Sequence, residues 1–140
     1  MNEAKQAGNK YRECKAYNSL GVAYQSLGDY KKAIEFHQQS LSIAKEIGDR
    51  GLKDKAYTNL GCAYYSLGDN KKAIEFHQES LSIAKEIGNK GSEAAAYTNL
   101  GNAYDHLGDY KKAIEFHQQS LSIAKEIGDK GSEKAFSRVG

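Results

Sequence analysis

Apolar residues along this chain fall at helical rather than strand spacing. In the middle of the sequence Tyr57, Leu60, Gly61, Tyr64 and Leu67 stand at i, i+3, i+4, i+7 and i+10, one stripe of an α-helix. A second pattern follows Gly68-Asp69: Ala73, His77, Leu81 and Ala84 share one face, and Phe76, Ile83 and Ile87 an adjacent one. Gly68 is suited to close the first helix, because glycine takes the left-handed conformation at no steric cost. Asp69 is suited to cap the second, its carboxylate accepting from a free backbone N–H. Gly88 closes that second helix, and Asn89 or Ser92 caps the next one. The pattern thus predicts a helix of roughly sixteen residues, a tight turn, a second such helix and a short linker.

The same pattern returns every forty residues. Lys31-Lys32-Ala33-Ile34-Glu35-Phe36-His37-Gln38 recurs from Lys71 and from Lys111, and Ser40-Leu41-Ser42-Ile43-Ala44 recurs from Ser80 and from Ser120. Units run over residues 16–55, 56–95 and 96–135, and the second and third are identical at 33 of 40 positions. Residues 1–15 read as the end of a preceding unit and the start of the first helix, since Glu3–Lys10 resembles Ile83–Lys90. Residues 136–140 read as the truncated start of another unit. The chain therefore looks like a window from a longer array. A single hairpin cannot cover both apolar faces of its second helix; stacked neighbours can, which is why such repeats need about three copies. The fold class expected is all-α, a solenoid of three helix-turn-helix repeats with partial repeats at its ends.

Composition removes several functions. Lys and Arg number 20 against 18 Asp and Glu, a net charge of +2 with no basic cluster, which does not suit a nucleic-acid partner. No apolar run approaches the length of a membrane span, and the first residues lack the apolar core of a secretory signal. Cys14 and Cys62 do not make a disulfide framework, so a reduced, cytoplasmic setting is expected. The chain has no Pro and 14 Gly, consistent with glycine as the stop signal at helix ends.

Tyr57, Leu60-Gly61, Tyr64, Gly68, Ala73 and Ser80-Leu81 together resemble the tetratricopeptide repeat, and the resemblance covers nearly the whole chain. The Trp-type position is Tyr in every unit. The Pro that ends the common shorter form is replaced by Lys45, Lys85 and Lys125, so the second helix continues. This longer form is similar to the repeats of the Leu-Gly-Asn (LGN/Pins) adaptors. Only the third unit keeps their full signature, Asn99-Leu100-Gly101-Asn102-Ala103-Tyr104; Val22 and Cys62 replace the second Asn in the others. The resemblance implies a right-handed superhelix whose first helices line a concave groove for an extended or helical peptide.

Differences between the units of this chain point to the same surface. The second helix is nearly invariant, as packing into identical neighbours requires. In the first helix the changes fall at Asn18/Thr58/Thr98, Ser19/Asn59/Asn99, Val22/Cys62/Asn102, Gln25/Tyr65/Asp105 and Ser26/Ser66/His106. Those offsets trace one stripe, opposite the Tyr-Leu-Tyr packing stripe. A face that varies while the core stays fixed is what a ligand-reading surface looks like. The expected groove therefore comprises Lys15, Asn18, Ser19, Val22, Gln25, Lys55, Thr58, Asn59, Cys62, Tyr65, Thr98, Asn99, Asn102, Asp105 and His106. It offers amide and hydroxyl hydrogen bonding, the aromatic face of Tyr65 and ionic contacts from Lys15, Lys55, Asp105 and His106. Relatives that clamp a terminal carboxylate use Lys and Arg in the third first-type helix; here Ala95 and Asn99 stand there, and the clamp is incomplete.

Other candidates have simpler readings. His37, His77 and His117 repeat one helix-packing distance apart, about 10 Å, too far to share a metal, and read as packed histidines sharing a hydrogen bond. Cys14 and Cys62 have no fixed base nearby in sequence. Gly48-x-x-Gly51 is a linker and not a phosphate loop, and the Lys31-Lys32 pairs read as solvated surface. No enzyme activity, cofactor or metal is expected. The partner expected is a protein or peptide, with neither nucleic acid nor membrane. The rival reading is a self-associating structural or engineered, consensus-like array with no natural ligand, stacking end to end or swapping through uncapped termini where Phe136 and Val139 leave the last helix partly uncovered.

Overall fold

A computed structural model describes the backbone of residues 2–139 and the side chains of residues 5–128. Six helices follow one another: α1 Asn2–Ser26, α2 Tyr30–Ile47, α3 Arg50–Leu67, α4 Asn70–Ile87, α5 Lys90–Leu107 and α6 Tyr110–Val139. The four inner helices have 18 residues each. Their ends follow the predicted chemistry. Gly28, Gly48, Gly68, Gly88 and Gly108 all adopt positive φ, between 68° and 87°, and close helices. Carboxylates of Asp29, Asp69 and Asp109 each accept from the N–H three residues on, at 3.2 Å. At the start of α5 the cap is Asn89, and Ser92 supplies the N–H it accepts, at 3.0 Å.

Two helices outrun their predicted ends. Helix α1 passes straight through Gly8 and Asn9, and α6 continues through Gly128 to Val139. Glycine permits either outcome: Gly48 and Gly88 take positive φ and turn, whereas at Gly8 and Gly128 the helical backbone keeps its hydrogen bonds running. The side chains of Phe136 and Val139 lie outside the described residues.

Packing is sequential. Each helix lies against the next, and in addition α1 meets α3 and α3 meets α5. Among the described residues α2 does not approach α4, nor α4 approach α6. The first helices of the hairpins are thus close neighbours while the second helices splay apart, which curves the stack and leaves α1, α3 and α5 lining the hollow side.

The core is built from one motif used three times. A phenylalanine of each second helix sits between two tyrosines of its partner: Phe36 between Tyr17 and Tyr24, Phe76 between Tyr57 and Tyr64, Phe116 between Tyr97 and Tyr104, with centroids 5.4–6.1 Å apart. Leu60 and Leu100, fully buried, cross from one unit to the next onto Ile34 and Leu41, and onto Ile74 and Leu81. Lysines in the last turn of the second helices have a packing role: Lys45 and Lys85 lie 5.8 and 5.6 Å over the rings of Tyr57 and Tyr97 in the following unit. Lys32, Lys72 and Lys112 likewise lie over Tyr24, Tyr64 and Tyr104, so one member of each Lys pair covers a ring and is not merely solvated.

Candidate peptide-binding groove

Close approach of α1, α3 and α5 needs small residues where a second helix packs beneath them, and glycine supplies it. A Cβ at Gly21, Gly61 or Gly101 would lie 2.4–2.8 Å from ring atoms of His37, His77 or His117. Each imidazole therefore lies directly against a bare glycine backbone, in its own hairpin. His37 and His77 are buried. Sequence reasoning expected these histidines to share a hydrogen bond, yet both ring nitrogens of His37 and Nδ1 of His77 have no partner. Packing onto the glycine leaves no polar atom within reach. Burial pushes the His77 imidazole down to about 4 and lowers that of His37, so both are neutral near pH 7.

Above this floor stands the variable stripe. Asn18, Gln25, Thr58, Asn59, Cys62, Tyr65, Thr98 and Asn99 are half-buried, and Lys15, Ser19, Val22, Lys55, Asn102, Asp105 and His106 are exposed. None of the fifteen predicted residues is sealed in the core. Bonds between neighbouring first helices fix part of the stripe. The Asn59 amide donates to Asn18 Oδ1 across α1 and α3. Tyr65 and His106 bridge α3 and α5, their rings stacked at 4.5 Å and Tyr65 Oη 2.8 Å from His106 Nε2. Thr58 and Thr98 are engaged within their own hairpins. Their hydroxyls turn to Ser80 and Ser120 on their own second helices, at 2.8 and 2.6 Å, and tie the wall together.

Three notches open along the stripe. A small one of about 80 Å³ lies between α1 and α3, beside Lys15, Asn18, Ser19 and Lys55. A second, about 380 Å³, is lined by Lys55, Thr58, Asn59, Ser92 and Ala95. The third, about 210 Å³, is lined by Cys62, Tyr65, Ser66, His77, Asn99 and Asn102. The sequence reading gave His77 and Ser92 packing and capping roles and did not place them in the groove. The signal for His77 was present, since a glycine stands sixteen residues before each such histidine. A larger opening, about 560 Å³, lies outside the hollow between the start of α1 and the end of α2, beside half-buried Lys10 and exposed Glu46.

Reactive chemistry is weak. Burial pushes the Cys62 thiol up, away from the thiolate. Cys14 is buried, its Sγ–H donating to the Ser40 carbonyl at 3.2 Å. Both cysteines are free, and among the described residues no group of three or more His, Cys, Asp or Glu could hold a metal.

The model of the tetratricopeptide repeat family matches residues 11–86 and 72–126. No curated protein matches significantly. Among solved structures, the chain is similar to the TPR domain of Arabidopsis FLU, at 24% identity and a TM-score of 0.80, covering 84% of this chain and 98% of that one. It is also similar to aspartyl phosphate phosphatase F from Bacillus subtilis, at 22% and 0.80, covering 86% and 31%. The N-terminal domain of stress-induced protein-1 from C. elegans follows at 18% and 0.70, covering 86% and 95%. At these identities the likeness is one of fold.

Proposed function

We propose that this chain, which belongs to the tetratricopeptide repeat family, holds a peptide or helix of another protein in the hollow lined by α1, α3 and α5. The family's fold is generally a protein–protein interaction scaffold without catalytic activity of its own. The observation that carries the reading is a coincidence of two independent patterns. Positions that vary between near-identical units are the ones left half-buried or exposed on adjoining first helices, with polar notches between them. Amides at Asn18, Asn59, Asn99 and Asn102 can each donate to and accept from a peptide backbone, so the surface suits a main chain held with modest sequence demand. Lys15 and Lys55 add positive charge towards the α1 end, and Asp105 negative charge towards α5. The long second helix, with lysine in place of the terminating Pro, gives the forty-residue form similar to the Leu-Gly-Asn adaptors. Two free thiols fit a cytoplasmic setting.

A peptide array probed with the wild-type chain and with the Asn59→Ala, Asn99→Ala double variant tests this. Capture should fall at least tenfold in the variant, the loss of two hydrogen bonds at about 1 kcal/mol each. Unchanged capture removes the groove assignment.

A further inference from the structure

The three notches are not equivalent. Between α1 and α3 the two stripe amides share one bond, Asn59 donating to Asn18, and each keeps part of its capacity for a ligand. Between α3 and α5 the corresponding bond is absent, because Thr58 turns to Ser80. Among the described residues the side-chain amides of Asn99 and Asn102 bond to nothing. Beneath them lies His77, 2% exposed. In the first unit both imidazole nitrogens of His37 are sealed; at His77 only Nδ1 is, and the ring borders the notch. Nε2 is therefore the nitrogen on the notch side. A buried N–H without a partner is the costlier orphan, and a bare lone pair the cheaper one. That places the proton on Nε2, which leaves a buried N–H donor at the floor and two unengaged amides on the wall.

We propose that the notch lined by Cys62, Tyr65, Asn99 and Asn102, between α3 and α5, is a subsite for a carboxamide side chain, Asn or Gln, of the bound peptide. This rests on the groove reading above and adds the chemistry it selects. The floor asks for an acceptor oxygen, and the amides of Asn99 and Asn102 each present both an acceptor oxygen and N–H donors; a carboxamide, which also carries both, can meet all of them. A carboxylate offers acceptors alone, and none of the six lining residues carries a fixed charge to offset its desolvation. An ammonium offers donors alone and would meet a donor at the floor. A lone hydroxyl is too small: about 210 Å³ is several times the roughly 30 Å³ that a water occupies. The Tyr65–His106 bridge stands at one side and keeps α3 and α5 at a fixed spacing.

A display selection of random 12-residue peptides on the full chain is the test. Peptides that win should share an Asn or Gln at one position, and exchanging the two identifies the preferred length. Replacing that residue by Leu or Glu should weaken binding about tenfold or more, as expected when a buried donor is left unpaired. In Asn99→Ala and in His77→Phe the same replacement should change binding by less than about twofold; Asn102→Ala serves if the core variant fails to fold. Winners captured through the groove, and lost on Asn59→Ala with Asn99→Ala, but showing no carboxamide preference, overturn the subsite and leave the groove standing. Winners indifferent to those two variants overturn both.

Discussion

Gly61 sits where an alanine ought to be welcome by helix propensity, since glycine in a helix interior costs about 1 kcal/mol relative to alanine. The packing reverses that expectation. A Cβ added at Gly61 would stand 2.5 Å from His77 Cε1, 2.6 Å from Nε2 and 2.7 Å from Nδ1. Carbon contacts are comfortable near 3.5–4 Å, so the ring must retreat by about 1 Å. His77 is buried and cannot swing into solvent. Overpacking of this kind costs about 1–3 kcal/mol. Net of the propensity gain, Gly61→Ala should destabilise by up to about 2 kcal/mol, lowering the melting temperature by several degrees. Gly8→Ala, in the open interior of α1 with nothing within 4 Å, should instead stabilise by a few tenths to about 1 kcal/mol. Urea unfolding of both variants gives the comparison. A double-mutant cycle isolates the cause: with His77→Ala, Gly61→Ala should lose its penalty. If Gly61→Ala matches Gly8→Ala, or if its penalty survives removal of the imidazole, the ring-on-glycine explanation is wrong.

Ile74 and Ile114 occupy the same place in successive units, yet one is 8% exposed and the other 56%. Ile74→Ala should cost about 2–4 kcal/mol and Ile114→Ala under about 1 kcal/mol, read from denaturation midpoints; equal losses would mean the α6 face is covered in solution, as in end-to-end association. Acid should weaken the fold through His77. Its unfolded imidazole takes a proton near 6.5 and the folded one only near 4, so stability is full above pH 6.5 and drains as pH falls towards 4. The loss is about 3 kcal/mol from this group, with His37 acting in the same direction. Urea midpoints at pH 7 and pH 4.5 should differ accordingly, and by less in His77→Phe, where His37 alone remains; a flat profile in the wild-type chain would contradict the burial. Asp69→Ala removes the carboxylate that receives the Lys72 N–H and should cost about 1 kcal/mol by the same measurement. Cys62, its thiol pushed up by burial, should alkylate more slowly than a free thiol at pH 8, and a rate equal to that of free cysteine would count against it.

Local signals and packing signals differ in how readably they sit in a sequence. Helix ends were legible because one residue decides each: Gly48, Gly68 and Gly88 turn left-handed, and Asp69 and Asn89 cap, where the glycine and side-chain chemistry places them. Gly8 and Gly128 carry the same local signal and do not turn; glycine allows a helix to end without requiring it. The variable stripe was legible since repeats act as internal controls, and Asn59, Cys62 and Tyr65 stand half-buried on it. Which stripe residues are spent within the protein was not. Thr58 and Asn59 are adjacent in sequence, yet one bonds Ser80, 22 residues on, and the other bonds Asn18, 41 residues back. Such partners depend on how far each hairpin rotates against the last, a quantity the helical pattern leaves open. His77 shows the same limit from the other direction. Its alignment with Gly61 was visible as spacing, but that this spacing seals Nδ1 and leaves Nε2 to the notch follows only from the ring's fit against bare backbone. The polar character of the hollow is therefore set by two layers: a stripe that varies from unit to unit, and a glycine–histidine floor that is the same in all three units, where a change would disturb the helix pair beneath.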